Sequence, residues 1–444
     1  MNLKFKTLTL ALVSLSSLSI ADVTLYGKVA SGIENDQFQI NTNKMPTNSV
    51  QDYGSYFGIR GIDRVYGTTS AIWQVEQYLD IAAGQAYNST TSSSMIVPRS
   101  GNVMGSGHVN REVNVLASSE TYIGLQGELG RIRLGNVSNF MRGNMGSVDI
   151  YNYGNGVNGL GTFSRTNKLI PTSIRYDSPV LGNFSFMTMY GFNSNGLNSA
   201  SGVNGNNNFG IGLDGYYSGV IWSAGVNWNY NYWSFALGTT IWENVGLYSN
   251  QTNGLVENLN FPDANYTPAY ANRLEIAYND PEGILFGIGF QTTSGMAWNS
   301  WPNSGGTVFG VIANPGYTNK ANIISKTNAL QTQELALSLG YHLGQWTPKV
   351  GYAHGANWMR DGDIGAIIDG SAEQIANTGY DQFVTELDWN ITPRTIAFVN
   401  FGQVFYGDTL SNIAFGGTTG AIVDGSNQYS TNQSTIAVGF SHTF

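Results

Sequence analysis

Apolar and polar residues alternate one by one through much of this chain. In TQELALSLGYHLG, residues 332–344, Leu335, Leu337, Leu339, Tyr341 and Leu343 occupy one set of positions. Glu334, Ala336, Ser338, Gly340 and His342 occupy the other. A period of two sends successive side chains to opposite faces of a β-strand. The same alternation runs through 220–230, where Val220, Trp222, Ala224, Val226, Trp228 and Tyr230 share a phase, and through 273–279 and 284–290. It also marks STIAVGFSHTF, residues 434–444, in which Ile436, Val438, Phe440, His442 and Phe444 alternate with small or polar residues.

The connections between such segments alternate too. Short turn signals stand at GELGR (127–131), DSPVLGN (177–183), NDPEG (279–283), HLGQW (342–346) and NITPR (390–394). Asn-, Gly-, Ser- and Thr-rich stretches fill the other intervals, about 35–52, 82–118, 138–170, 193–217, 246–267, 296–329, 357–378 and 408–430. Short turn, long loop, short turn, long loop is the rhythm of an up-and-down barrel with unlike rims. Seventeen segments read as strands, and a bacterial single-chain barrel needs an even number. Assigning FGIGLDGYY, about 209–217, to the preceding loop leaves sixteen. The predicted fold is therefore all-β: a 16-stranded antiparallel transmembrane barrel, in one domain spanning 22–444.

Alternation alone does not say which face is outside, since a soluble sandwich alternates with its apolar face inward. The polar phase here is rich in glycine and carries charges, which suits a wet lumen better than a packed core. The apolar phase places Trp, Tyr and Phe near strand ends, as an aromatic girdle does. Composition agrees. Charged residues are 11% of the chain, against roughly 25% in typical globular domains. Glycine contributes 56 of 444 residues. With no cysteine there is no disulfide framework, no thiolate metal site and no thiol nucleophile. No apolar run after residue 21 is long enough for a helical span. A net charge of −9 argues against a nucleic-acid partner. Residues 1–21 carry Lys4 and Lys6, an apolar stretch and Ser19-Ile20-Ala21, which predicts a secretory signal cleaved before Asp22.

Several segments in order resemble the general porins of Gram-negative bacteria, above all the neisserial-type trimeric porins. They are DVTLYG (22–27), AIWQVEQ (71–77), YIGLQGELGRIRLGN (122–136), SIRYDSP (173–179), TPKVGYAHG (347–355), YDQF (380–383) and the terminal phenylalanine. The resemblance implies a homotrimer in the outer-membrane lipid of a Gram-negative bacterium. It implies passive diffusion of ions and small polar solutes, and a third extracellular loop, here about 137–170, folded inward as a constriction. It also implies that Phe444 is read by the outer-membrane assembly machinery.

Strand phase selects the pore-lining charges. Val23, Leu25, Val29 and Ile33 set the outward phase of the first strand, so Lys28 and Glu34 point in. By the same reasoning Arg60, Arg131, Arg133 and Arg175 point in, as do Glu76 and Glu120. Family lysines have uncharged counterparts at Ala30, Tyr56, Tyr78 and Gln126. Between 137 and 170 the only carboxylate is Asp149, against Arg142, Arg165 and Lys168. Charge in a narrow wet pore concentrates the opposite ion. The cation excess therefore predicts a weakly anion-preferring or near non-selective channel. For Arg131, close to a turn, pairing with a neighbour is an equal alternative. Tyr151 and Tyr153 either offer a stacking surface to a solute or anchor the loop to the wall.

Other chemistry finds little support. GNGVNG (154–159) fits a dinucleotide fingerprint only in letters, since it lies between barrel strands rather than between strand and helix. The four histidines have no metal-ligand spacing. No metal or cofactor, and no enzymatic activity, is expected. A barrel lipase would need outward Ser, His and a polar partner at one height, and only His354 is suitably placed. An adhesive barrel closed by its loop and a substrate-specific channel remain as alternatives.

Overall fold

A computed structural model describes residues 22–40, 43–79, 81–82, 117–141, 146–152, 156–160, 169–192, 220–242, 269–294, 331–360, 373–374, 377–407 and 431–444. The proposed signal (1–21), the segment 209–217, and Arg142, Tyr153, Arg165 and Lys168 lie outside the described residues.

Strands dominate the chain. They are β1 (Asp22–Ile40), β2 (Asn43–Asp52), β3 (Ser55–Tyr66), β4 (Thr69–Leu79), β5 (Thr121–Gly127), β6 (Gly130–Ser138) and β7 (Leu169–Asp177). After these come β8 (Phe184–Gly191), β9 (Ile221–Tyr230), β10 (Trp233–Trp242), β11 (Ala269–Asn279), β12 (Ile284–Ser294), β13 (Gln331–Tyr341) and β14 (Trp346–Gly355). The last are β15 (Met359–Arg360), β16 (Glu373–Gln374), β17 (Tyr380–Thr392), β18 (Thr395–Tyr406) and β19 (Thr431–Thr443). Each pairs antiparallel with its neighbours, and β1 pairs with β19 to close the sheet. β2 and β3 are consecutive parts of one stave, since β1 pairs with both. β15 and β16 form a two-residue ladder beyond β13. The result is a closed barrel of sixteen staves. Closure pairs the ladder groups of every stave, a requirement at membrane depth, where no water replaces a missing hydrogen bond.

Side-chain burial decides which face is outside. Ile33 is 66% exposed and the next residue, Glu34, is 0% exposed. The contrast repeats around the barrel: Leu25, Ile123, Val226, Leu339, Val350 and Val438 are exposed, while Gln291, Glu334, Lys349, Glu386 and Asn400 are buried. A soluble fold has the opposite sorting. Aromatic side chains gather at the two ends of this apolar band. Trp228, Trp233, Phe235 and Tyr278 interlock near the short turns, as do the stacked Trp346 and Trp389. Tyr190, Phe192 and Trp222 cluster near the long connections. Among the described residues no helix is long and apolar enough to cross a membrane; the strands do so.

One sequence expectation needs correction. The stretch 35–52 is not a long loop: Ser31–Ile40 and Asn43–Asp52 form a hydrogen-bonded hairpin. Beyond the Ile33–Val50 pair, its outward phase sets Asn35, Gln37 and Gln39 against Asn48, Pro46 and Lys44, so no sustained lipid-driven alternation announces the ladder. The closing strand pairs with the first strand, just past DVTLYG. β19 pairs with Lys28–Ile40, while Asp22–Lys28 pairs with β3. Only Gly27 meets the last residue, through reciprocal bonds between its backbone and that of Phe444, at 3.1 and 3.0 Å.

Candidate functional site

The inward phases of β1 and β3–β7 make one continuous charged wall. Arg133 and Arg175 are directly opposite each other across β6 and β7. Like charges in that position repel, and the arrangement holds because carboxylates intervene. Arg133 is 4% exposed. Its Nη1 donates to Glu120 Oε1 at 2.7 Å and its Nη2 to Asp177 Oδ2 at 2.8 Å. Arg175 reaches Asp177 Oδ1 through Nε at 2.8 Å and Nη2 at 2.5 Å, and Arg131 reaches Oδ2 at 3.4 Å. Arg175 also donates to the Ser138 carbonyl, where β6 ends. Three guanidinium groups thus share two carboxylates. Arg131 pairs with its neighbour Asp177, as one of its two sequence readings has it.

Lys28 donates to the Tyr53 carbonyl at 3.3 Å. Arg60 is exposed, with its guanidinium carbon 5.0 Å from the ring centre of Tyr26. The Tyr26 hydroxyl donates to Glu76 Oε2 at 2.9 Å, and the Ser119 hydroxyl donates to the other oxygen.

The segment after β6 is tied to inward faces on the far side of the barrel. Ser223 donates to Asn139 Oδ1 at 2.5 Å, and Asn139 Nδ2 donates to Thr240 at 3.2 Å. The Phe140 ring lies on Gly225 and Gly238, a cross-strand pair of β9 and β10. A methyl group on either glycine would sit 2.3 Å from the ring, so nothing larger fits. Farther along, Ser147 donates from its amide and hydroxyl to Glu275 Oε2, both at 2.9 Å. The Asn152 amide donates to Glu386 Oε1 at 2.9 Å, and its side chain to Asp388 at 2.7 Å. Gln382 donates to the carbonyls of Val157 and Gly159 at 2.9 and 2.7 Å, and Asn400 to that of Asn158 at 3.0 Å.

These bonds answer a definite need. Among its described residues the segment's secondary structure is limited to short 3-10 turns at Gly146–Val148 and Gly156–Asn158, so its other backbone groups need partners. The wall supplies them. Val148, Tyr151 and Leu160 pack on Ala336, Ala353 and Val384, all of the inward phase. Tyr151 is therefore an anchor; burial, reinforced by Asp149 and Glu386, raises its hydroxyl pKa well above the ordinary phenol range. It is not a stacking surface for solute.

Charges on this far wall are sequestered behind the segment. Lys349 bridges Glu386 at 2.8 Å and Asp388 at 2.6 Å, and Arg273 lies 3.6 Å from Glu275. Arg273 also feels Asp149. Of the residues singled out from sequence, Arg131, Arg133 and Arg175 converge on one cluster. Lys28 and Arg60 lie on the same wall, and Asp149 belongs to the opposite side. Asp177, Arg273, Glu275, Lys349, Glu386 and Asp388 were not anticipated. Their inward phase was readable: Asp177 is two residues beyond Arg175, and Lys349 is two before Gly351.

Residues 7–295 match the Gram-negative porin family. The chain belongs to that family. The porin is 24% identical to the major outer membrane protein P.IA of Neisseria meningitidis serogroup C, over 89% of its own length and 92% of the relative's. It is likewise 24% identical to the P.IB protein of Neisseria sicca, over 90% and 93%. Among solved structures, the anion-selective porin from Comamonas acidovorans aligns with a TM-score of 0.56 at 14% identity, covering 96% of this chain and 100% of that one. Salmonella typhi OmpF in complex with daunomycin aligns with a TM-score of 0.52 at 13% identity, covering 95% and 97%. The porin is thus a channel-forming barrel of the Gram-negative outer membrane. Its lipid-facing apolar band and polar lumen are the physical basis of that role.

Proposed function

We propose that this porin passes ions and small hydrophilic solutes by passive diffusion, without chemical conversion, with a weak anion preference or near absence of selectivity. The observation that carries the reading is the charge balance of the wall formed by β1 and β3–β7. Lys28, Arg60, Arg131, Arg133 and Arg175 share this wall with Glu34, Asp36, Glu76, Glu120 and Asp177. Five cations thus meet five carboxylates, and the formal charges cancel, which supports weak selectivity or none. Residues 137–170, of which Asn139, Ser147, Asn152 and Asn158 are bonded to the far wall, serve as the constriction, and Arg142, Arg165 and Asp149 contribute to its charge.

In planar bilayers under a KCl gradient, the reversal potential is expected near zero or slightly toward chloride. A clear cation preference would overturn the reading. In liposome swelling, rates should decline smoothly with solute size; a saturable response to one solute would show a specific channel, and no swelling a closed barrel.

The chain is further proposed to lose residues 1–21 and to assemble as a homotrimer, with the apolar outward faces of β1 and β19 available for packing. Phe444 serves as the contact for the assembly machinery. Deleting Phe444 removes its paired bonds to Gly27 and its ring from the barrel surface. The expected result is a several-fold loss of folded trimer on semi-native gels, with unchanged conductance in the molecules that do insert. An undiminished yield would refute that role.

A further inference from the structure

Tyr26, Tyr56, Tyr78 and Tyr122 come from four successive neighbours in the sheet, β1, β3, β4 and β5, and all share the inward phase. Strand register sets them in rows. Lys28, Tyr56 and Tyr78 make the first, Tyr26, Gly58 and Glu76 the second, and Thr24, Arg60, Gln74 and Tyr122 the third. Tyr26 lies across β3 because Gly58 has no side chain; a methyl group there would sit 2.4 Å from the phenol carbon Cζ. Tyr56 meets Tyr26 edge-on at 6.2 Å between ring centres. Tyr122 carries the Arg133 guanidinium at 5.2 Å.

Arg60 stands among these rings. Arg131, Arg133, Arg175 and Arg273 each reach a carboxylate. Among the described residues Arg60 reaches none, and it is exposed on the lumen side. Its fork of N–H donors and its charge are therefore available to a solute in transit.

We propose that Arg60 and the surrounding tyrosines form a binding station for small aromatic carboxylates. The class follows from the chemistry. A guanidinium binds a carboxylate through two parallel hydrogen bonds. Tyrosine rings add offset or edge-on contact to a flat aromatic ring. An aliphatic acid satisfies the charge but not the rings. A saccharide meets the rings but leaves the charge unanswered. The proposal rests on the open-pore reading above and names the solute class that the same lumen wall retains longest.

The test uses the full-length porin in planar bilayers, with benzoate added to KCl. Benzoate is expected to reduce the single-channel current saturably. Cyclohexanecarboxylate, with the same charge but no π face, should need about threefold or more higher concentration for half-block. Arg60→Gln should raise the half-blocking benzoate concentration about tenfold, the loss of one charged hydrogen-bonding partner, while KCl still permeates. Equal block by the two acids, non-saturating block, or unchanged block in Arg60→Gln would overturn the proposal. The comparison of the two acids needs no variant, so it stands if the substituted chain fails to insert. Absence of any KCl conductance would instead overturn the pore reading itself, and this inference with it.

Discussion

Replacing Glu386 by alanine is expected to loosen the inward segment and to make the open channel noisy. Glu386 is 3% exposed. One of its oxygens accepts from Lys349 Nζ at 2.8 Å and from the Asn152 amide at 2.9 Å. The other accepts from Asn400 Nδ2 at 2.8 Å. Truncation leaves the Asn152 amide without its acceptor, takes one of two acceptors from Asn400, and leaves Lys349 paired with Asp388 alone. Leaving a buried donor without its acceptor costs roughly 1–3 kcal/mol. The cost falls on the attachment of the segment, because the ladder between β17 and its neighbours is backbone-made and persists. Excess current fluctuation and a changed conductance should appear in single-channel records, with a smaller loss of thermal stability of the barrel. Glu386→Gln keeps an acceptor for Asn152 and should fall between. Quiet, unaltered channels in Glu386→Ala would remove the basis for treating the wall carboxylates as latches.

Asp177→Asn is expected to turn a weak preference into a clear anion preference. Asp177 alone touches Arg131, Arg133 and Arg175. These three guanidiniums with Glu120 and Asp177 carry a formal charge of +1; the substitution makes it +2. A more positive wall raises chloride and lowers potassium in the narrow lumen. The reversal potential in a KCl gradient should therefore move toward the chloride limit. Arg175→Gln takes the same cluster from +1 to 0 and should move it the other way. Both shifts should shrink in about 1 M salt, where the screening length falls to about 3 Å. Shifts of the same sign for both variants would exclude the cluster as the determinant of selectivity.

The chain announces its fold through a demand that lipid imposes. Leu335, Leu337 and Leu339 alternate because β13 has a hydrocarbon face, and the alternation was readable without coordinates. Where that demand lapses, so does the signal. Asn43–Asp52 is a genuine strand, but Met45 and Val50 are isolated among polar residues and a proline, and its sequence reads as a loop. The seam shows a different limit. Alternation identifies β19 and its outward phase, yet its register against Lys28–Ile40 depends on the stagger of the whole barrel, which no local pattern encodes.

The wall was legible in part for the same reason. Phase sent Arg60, Arg133 and Arg175 inward. It equally sent Asp177 inward, but that residue was absorbed into the turn signal DSPVLGN, and its role as a shared counterion was missed. The partners of Ser147 and Asn152 are a harder case. Glu275 lies 128 residues from Ser147, and Glu386 lies 234 from Asn152. Such contacts arise only after closure brings opposite staves within reach of one segment.

The seat of Phe140 on Gly225 and Gly238 has a consequence for how such channels diversify. Ring and glycines form a lock whose two halves lie far apart in the chain. Residues 139–160 cannot be transplanted into another sixteen-stave barrel by themselves, because an alanine at either wall position would hold the ring out in the passage. Exchange of this segment between relatives, in a laboratory or in a lineage, succeeds only when the two glycines travel with it.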